Sequence, residues 1–422
     1  MTMPRMFFGV LLMLIFAHTG SALAATPDAA VKEASDKAMA SYIAHLKALV
    51  NQDSGTDDIA GLNAKRDYLA AALQKTGAEV TVLDAAGPRS GTSNIIARLK
   101  GKGKARILIV CHYDTVWPAG EAAKRPFRIE NDVAYGPGVS DAQHSVAGVL
   151  TIFEIMQSLK YDEFNVLTLV LNADEEKGSV GSKALIIEEA GRHDVVFSME
   201  DGGKDGDTVI ISCRGNNNAV ITVQGRAAHS GENPGAGRNA GVELSRQILN
   251  MLDLGDAGKY TDANWTLGSF GAKANIIPDT ATANLNVRTA LNAEADRVEA
   301  EMLKRIKNVT DPDCTVSLEF KRVRPPFEFT EKTDALAKAA EAVFSRELGR
   351  TLKRDRMGGA SDANFAYQKA PVLEGMGMGG GDWHALTEFL PLKQVPDRLY
   401  LLARMIQETS LGNTVPIGTP DR

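Results

Sequence analysis

Residues 105–112, ARILIVCH, are an almost unbroken apolar run that ends in a histidine, and residues 165–171, NVLTLVL, form a second such run. Short runs without polar alternation predict strands buried on both faces of a sheet. Further strands are expected at 79–83, 93–99 and 194–199, with a helix over 146–159. Residues 28–76 carry apolar side chains at spacings of three and four, a helical pattern. Strands alternating with helices predict an α/β, doubly wound sheet, in which chemistry gathers beyond the carboxyl ends of the strands.

Near Arg214 the pattern changes. A strand at 218–224, a helix at 238–254, strands at 266–272 and 280–288, a helix at 293–309 and a strand at 315–321 give the order β-α-β-β-α-β, a ferredoxin-like α+β unit. Helix and strand alternate again after Arg324, Pro325 and Pro326, with a helix at 333–348, a strand at 370–374 and a helix at 395–411. The expected organisation is a leader over 1–25, a first catalytic segment over 26–213, an inserted unit over 214–325 and a second catalytic segment over 326–422.

Composition narrows the class. The 422 residues are 44% hydrophobic and 24% charged, ordinary for a soluble globular chain. The net charge of −6 is mixed along the chain, without the basic stripe that nucleic-acid binding needs. Arg5, the apolar run 6–17 and the small residues Ala22 and Ala24 read as a cleaved export signal, which predicts an exported, periplasmic protein with no membrane contact after cleavage. Cys111, Cys213 and Cys314 are too few for a disulfide framework.

The polar residues that could carry chemistry follow the buried strands. His112 lies in HYDTV, with Asp114 two residues on; it is either a metal ligand oriented by Asp114 or a core histidine satisfied by it. Asp141 ends YGPGVSD and either faces inward or caps the helix after it. Glu175 and Glu176 in NADEEKGS are either a solvated acidic loop or a pair with divided work. Glu200 ends FSMED, and His384 ends the glycine-rich GMGGGDWH. His45 and His193 read as structural or solvated. Histidine nitrogen with carboxylate oxygen suits zinc, with cobalt or manganese as substitutes. Five such ligands suit two sites sharing one bridging carboxylate.

In order and spacing, HYDTV, YGPGVSD, NADEEKGS, GRAAHSG at 225, NIIP at 275, GGASDA at 358 and the C-terminal histidine resemble the zinc aminoacylase and carboxypeptidase family, and within it the exported bacterial glutamate carboxypeptidases of the carboxypeptidase G type. The resemblance covers nearly the whole chain after the leader. It implies a zinc-exopeptidase catalytic domain with an inserted lid that also forms a homodimer. It implies that Asp141 bridges two zinc ions, with His112 and Glu200 completing one site and Glu176 and His384 the other. Glu175 would be the general base, Asp114 the residue orienting His112, and His229 an oxyanion donor from its own or the partner subunit. Asn275, Arg288 and, more weakly, Arg324 would hold the free carboxylate of a small or peptide substrate. The implied reaction cleaves the amide to a C-terminal glutamate. Alternatives are an N-acyl-amino-acid deacylase or dipeptidase, and, more remotely, a binding protein without catalysis. The two linkers near Arg214 and Arg324 predict a hinge.

Two departures stand out. The family commonly follows the bridging aspartate with lysine and glycine, whereas here Asp141 precedes Ala142, Gln143, His144 and Ser145. His144 is expected to start a helix or to add a polar contact near the site. Ser361 stands where the family often has threonine.

Overall fold

The computed structural model describes residues 27–85 and 87–418; the expected leader lies outside them. Helices α1 (Ala29–Lys37), α2 (Met39–Val50) and α3 (Ile59–Lys75) open the described chain. Strands β1 (Glu79–Asp84), β2 (Ser93–Lys100) and β3 (Arg106–His112) follow, then α4 (His144–Leu159), β4 (Val166–Asn172), α5 (Lys183–Gly191), β5 (Val195–Ser198) and β6 (Thr208–Cys213). The inserted region holds β7 (Gly215–Gln224), α6 (Ala240–Leu249), β8 (Asp262–Phe270), β9 (Thr280–Thr289), α7 (Asn292–Arg305) and β10 (Thr315–Arg324). The chain returns through α8 (Glu331–Leu348), β11 (Lys353–Met357), β12 (Val372–Leu373) and α9 (Val395–Ser410).

The central sheet runs β1-β2-β4-β3-β5-β12. Its last four strands are mutually parallel, while β1 and β2 run antiparallel at one edge. Successive residues of β3 enter opposite cores. Ile107, Ile109 and Cys111 pack among α1 to α4 and α9, whereas Leu108 and Val110 pack with Ile186, Val196 and Phe327. Burial on both faces is why the run at 105–112 carries almost no polar alternation.

The inserted sheet runs β8-β9-β7-β10, all antiparallel. Here burial alternates: Ala219, Ile221 and Val223 of β7 face a core shared with Leu244, Leu285 and Val298. Helices therefore cover only one face, as a ferredoxin-like layer requires.

One expectation is met and one needs correction. The helical pattern over 28–76 is three helices, with breaks at Ala38 and across 51–58. The periodicity survives both breaks because all three helices bury their apolar faces against the same core. The expected helix at 238–254 ends at Leu249, and Met251 and Leu254 are buried from irregular backbone instead. Cys111, Cys213 and Cys314 are all buried, unpaired thiols.

Candidate metal centre

Strand ends build this site. His112 is the last residue of β3, Glu200 lies two residues beyond β5, and Glu175 and Glu176 begin a short turn after β4. Asp141 sits in the turn before α4, and its peptide to Ala142 is cis. His384 arrives from the C-terminal loop with φ of 61°, a left-handed conformation.

These residues converge on Asp141. His112 Nε2 lies 3.2 Å from Asp141 Oδ1 and 3.7 Å from Glu200 Oε1. On the other side, His384 Nε2 lies 3.0 Å from Asp141 Oδ2 and 3.4 Å from Glu176 Oε2. In each of the two triads the ligand atoms fall within 4.8 Å of one another. The two oxygens of Asp141 thus address two different histidines.

The arrangement fits cations. Among the described residues, buried His112 Nε2 and Glu176 Oε1 find no hydrogen-bond partner. Burial pushes the Glu176 carboxyl up to about 7 against the pull of His384, and burial also raises Glu200. Burial opposes the ionisation of Asp141 too, but the adjoining His112 ring and the hydrogen bond with His384 hold it below the usual carboxylate range. The same bond with Asp141 lifts His384 to about 10. Crowded, buried acids aimed at a common point are costly without positive charge between them. Two divalent cations would relieve that cost, and mixed nitrogen and oxygen donors suit zinc.

Asp114 is fully buried and acts as a hub. One oxygen accepts the Glu175 N–H at 3.1 Å and lies 3.3 Å from His112 Nδ1; the other accepts from the Thr56 hydroxyl at 2.8 Å and from the Glu176 N–H at 3.3 Å. It therefore fixes the His112 ring and the turn carrying both glutamates.

Glu175 turns away from its neighbour. Its carboxylate meets Arg324 Nη1, while Arg324 Nη2 donates to the Glu175 carbonyl at 2.6 Å and to the Ser179 hydroxyl at 3.0 Å. Arg324 is thus engaged by the turn bearing Glu175. Arg288 makes one side-chain bond, from Nε to Asn286 at 3.0 Å, and lines the cleft beside Asn216. That cleft, of about 970 Å³, also receives Glu175, Glu176, Glu200 and His384.

His229 and Asn275 lie elsewhere. Neither lines the cleft, and His229 is exposed on a two-residue bridge, Ala228–His229 against Ile276–Ile277. Its Nδ1 accepts N–H bonds from Gly231 and Glu232, both at 3.1 Å, so the neutral ring carries its proton on Nε2.

Glu388 was not among the expected site residues. Its buried carboxylate accepts the N–H groups of Gly138, Ser140 and Asp141 at 2.9, 3.0 and 2.9 Å, and the Trp117 indole N–H at 3.1 Å. Sequence reading had no means of finding it, since its partners are main-chain groups nearly 250 residues away. His144 starts α4 and is wholly buried, with Nδ1 on the Ser145 hydroxyl at 2.6 Å and Nε2 3.9 Å from Asp201. It does not line the cleft. His45 and His193 are held by Glu154 and Tyr68, and by Thr168 and the Glu189 carbonyl.

Residues 108–408 match the sequence profile of Peptidase family M20/M25/M40. The chain belongs to this family. It is 35% identical over 396 residues to Carboxypeptidase G2 of a Pseudomonas species, covering 93% of this chain and 95% of that one. It is 29% identical over 318 residues to the succinyl-diaminopimelate desuccinylase of Methylobacterium radiotolerans, covering 70% and 79% of the two chains. Aminopeptidase PepT of Bacillus cereus superposes with a TM-score of 0.74 at 20% identity, over 88% of this chain and 99% of its own. This M20 chain is therefore a metallohydrolase with the family's α/β fold and inserted domain. Among the described residues no helix is long and apolar enough to cross a membrane.

Proposed function

We propose that this M20 enzyme is a dizinc carboxypeptidase that cleaves the amide bond to a C-terminal amino acid, glutamate above all. The observation that carries the reading is the pair of triads sharing Asp141, with Glu175 in the same cleft. His112 and Glu200 would hold one ion, Glu176 and His384 the other, and Asp141 both. When bound, the ions supply Lewis acidity that polarises the scissile carbonyl and acidifies water.

The chain's own groups do the rest. Glu175 accepts a proton from the attacking water and delivers it to the leaving amine. The Asp114 hub holds His112 and the Glu175 turn in register. Arg288, whose terminal nitrogens meet no other side chain among the described residues, grips the substrate's free carboxylate in a two-point contact; Asn275, outside this cleft beside His229, would assist only in the cleft of a partner subunit. Arg324 is available to that carboxylate only if it leaves Glu175, so it serves first to aim the base. His229 offers its Nε2 proton to the developing oxyanion of a site on a partner subunit. A homodimer through the lid accounts for a histidine turned away from its own cleft, and exposed Leu267 and Phe270 on the edge strand β8 suit such a contact. The leader at 1–25 supports export to the periplasm. The desuccinylase relative favours a second reading, removal of an acyl group from an amino acid by the same machinery.

The test is hydrolysis of an N-acyl glutamate by zinc-quantified protein beside Glu175→Gln. The expected result is two zinc ions in both proteins and a loss of about 100- to 10,000-fold in kcat in the variant. Fully metallated wild type that ignores acyl glutamates but cleaves other acyl amino acids shifts the reading to the deacylase. Absence of bound metal overturns it.

A further inference from the structure

The turn bearing Asp141 is held from two sides by buried polar groups. Glu388 takes three of its N–H groups from above. From the other side Gln143, fully buried, donates Nε2 to the Tyr113 carbonyl at 3.1 Å, in the peptide between His112 and Asp114. Gln143 Oε1 accepts from Lys65 Nζ at 2.9 Å, and the same ammonium donates to the Ser54 hydroxyl at 2.7 Å. Lys65 sits on α3 and is only 1% exposed. A lysine sealed in a core is costly unless its charge has work to do. The carboxylates that face it are Asp53 and Asp114.

These contacts form one path. Lys65 fixes Gln143, Gln143 ties the Asp141 turn to the end of β3, and that strand end carries His112 and Asp114. The loop lacks the lysine expected after Asp141 from the family resemblance, and a lysine from α3 reaches the same loop instead.

We propose that Lys65 and Gln143 are positioning residues, an internal clamp that sets the distance between Asp141 and His112 and with it the affinity of the shared metal pair. The proposal rests on the dinuclear reading above. Neither residue touches substrate or metal; both act through the turn and the strand end. Groups that orient metal ligands typically change affinity by about 10- to 100-fold when removed.

The experiment is zinc titration by calorimetry into the metal-stripped full chain, with far-UV circular dichroism as the folding control. The wild type is expected to bind two ions. Lys65→Met is expected to bind two ions about 10- to 100-fold more weakly. If Lys65→Met does not fold, Gln143→Leu removes the same tie and is read the same way. Two ions on the wild type with unchanged affinity in the folded variant, even with a lower Tm, overturn the clamp and leave the dinuclear reading standing. Fewer than two ions on the wild type overturn the dinuclear reading, and the clamp with it.

Discussion

Asp141 and His229 face opposite conditions. Around Asp141, the ligand side chains are oriented by the same chain: Asp114 holds His112, and Glu388, Gln143 and Lys65 hold the turn. Around His229, two main-chain N–H groups fix the ring, and the residue does not line the cleft. The first region is a preorganised site on rigid strand ends. The second is an exposed histidine outside the cleft of its own subunit. On the proposed reading, the metal cluster is a property of one chain, while the complete catalytic set would need a second.

That contrast breaks most sharply at His229. His229→Ala should leave zinc content intact and lower kcat by about 100- to 1,000-fold, the usual cost of losing one oxyanion donor. Mixing it with Glu175→Gln separates the two regions. Each variant alone should be nearly dead. After subunit exchange half the dimers are mixed, and one of the two sites in each mixed dimer has both residues, so about a quarter of the wild-type rate should return. No recovery under conditions where exchange is demonstrated places His229 in its own subunit's chemistry and dissolves the contrast.

Arg288 gives a smaller effect. It belongs to the lid sheet but lines the cleft, so it joins the two regions. Arg288→Ala should raise KM for acyl glutamates by about 10- to 100-fold, the cost of a charge-assisted contact, with zinc binding unchanged. An equal rise for a substrate whose terminal carboxylate is amidated removes Arg288 from carboxylate recognition.

The sequence was more legible in the first region than in the second. His112, Asp141, Glu176, Glu200 and His384 each stand in a glycine-rich loop or at a strand end, where periodicity shows the backbone stopping. Residues that act through main-chain groups left no such trace. Glu388 follows Ala385, Leu386 and Thr387 in an ordinary polar turn, and Lys65 occupies a helix as any surface lysine does. Strand β11, whose sequence is KRDRM, has no apolar alternation to announce it; backbone pairing with β6 makes it a strand. Such elements are set by tertiary contacts, which override local propensity.

The smallest predicted effect concerns the metal-free chain. Asp362, Glu388 and Glu176 are buried carboxyls, each pushed up to about 7 chiefly by burial. Between the ordinary carboxylate range and that value the native chain keeps protons that the unfolded chain releases. Stability therefore falls as pH rises through this window. His384, raised by its bond to Asp141, and His112, raised by Glu200 against its own burial, act in the same direction above the usual histidine range. Zinc, bound as proposed, would reverse the trend, because ligands must be deprotonated to bind it and stabilisation grows with affinity. The Tm of chelator-treated protein should drop by at least about 2 °C between about pH 5 and pH 7. The gap between zinc-loaded and zinc-free protein should widen over the same interval. His229→Ala should leave both curves where they are, since its ring lies outside the cluster. If His229→Ala shifts the curves, or if the zinc-free Tm stays flat, the protons belong elsewhere and the isolation of the two regions fails.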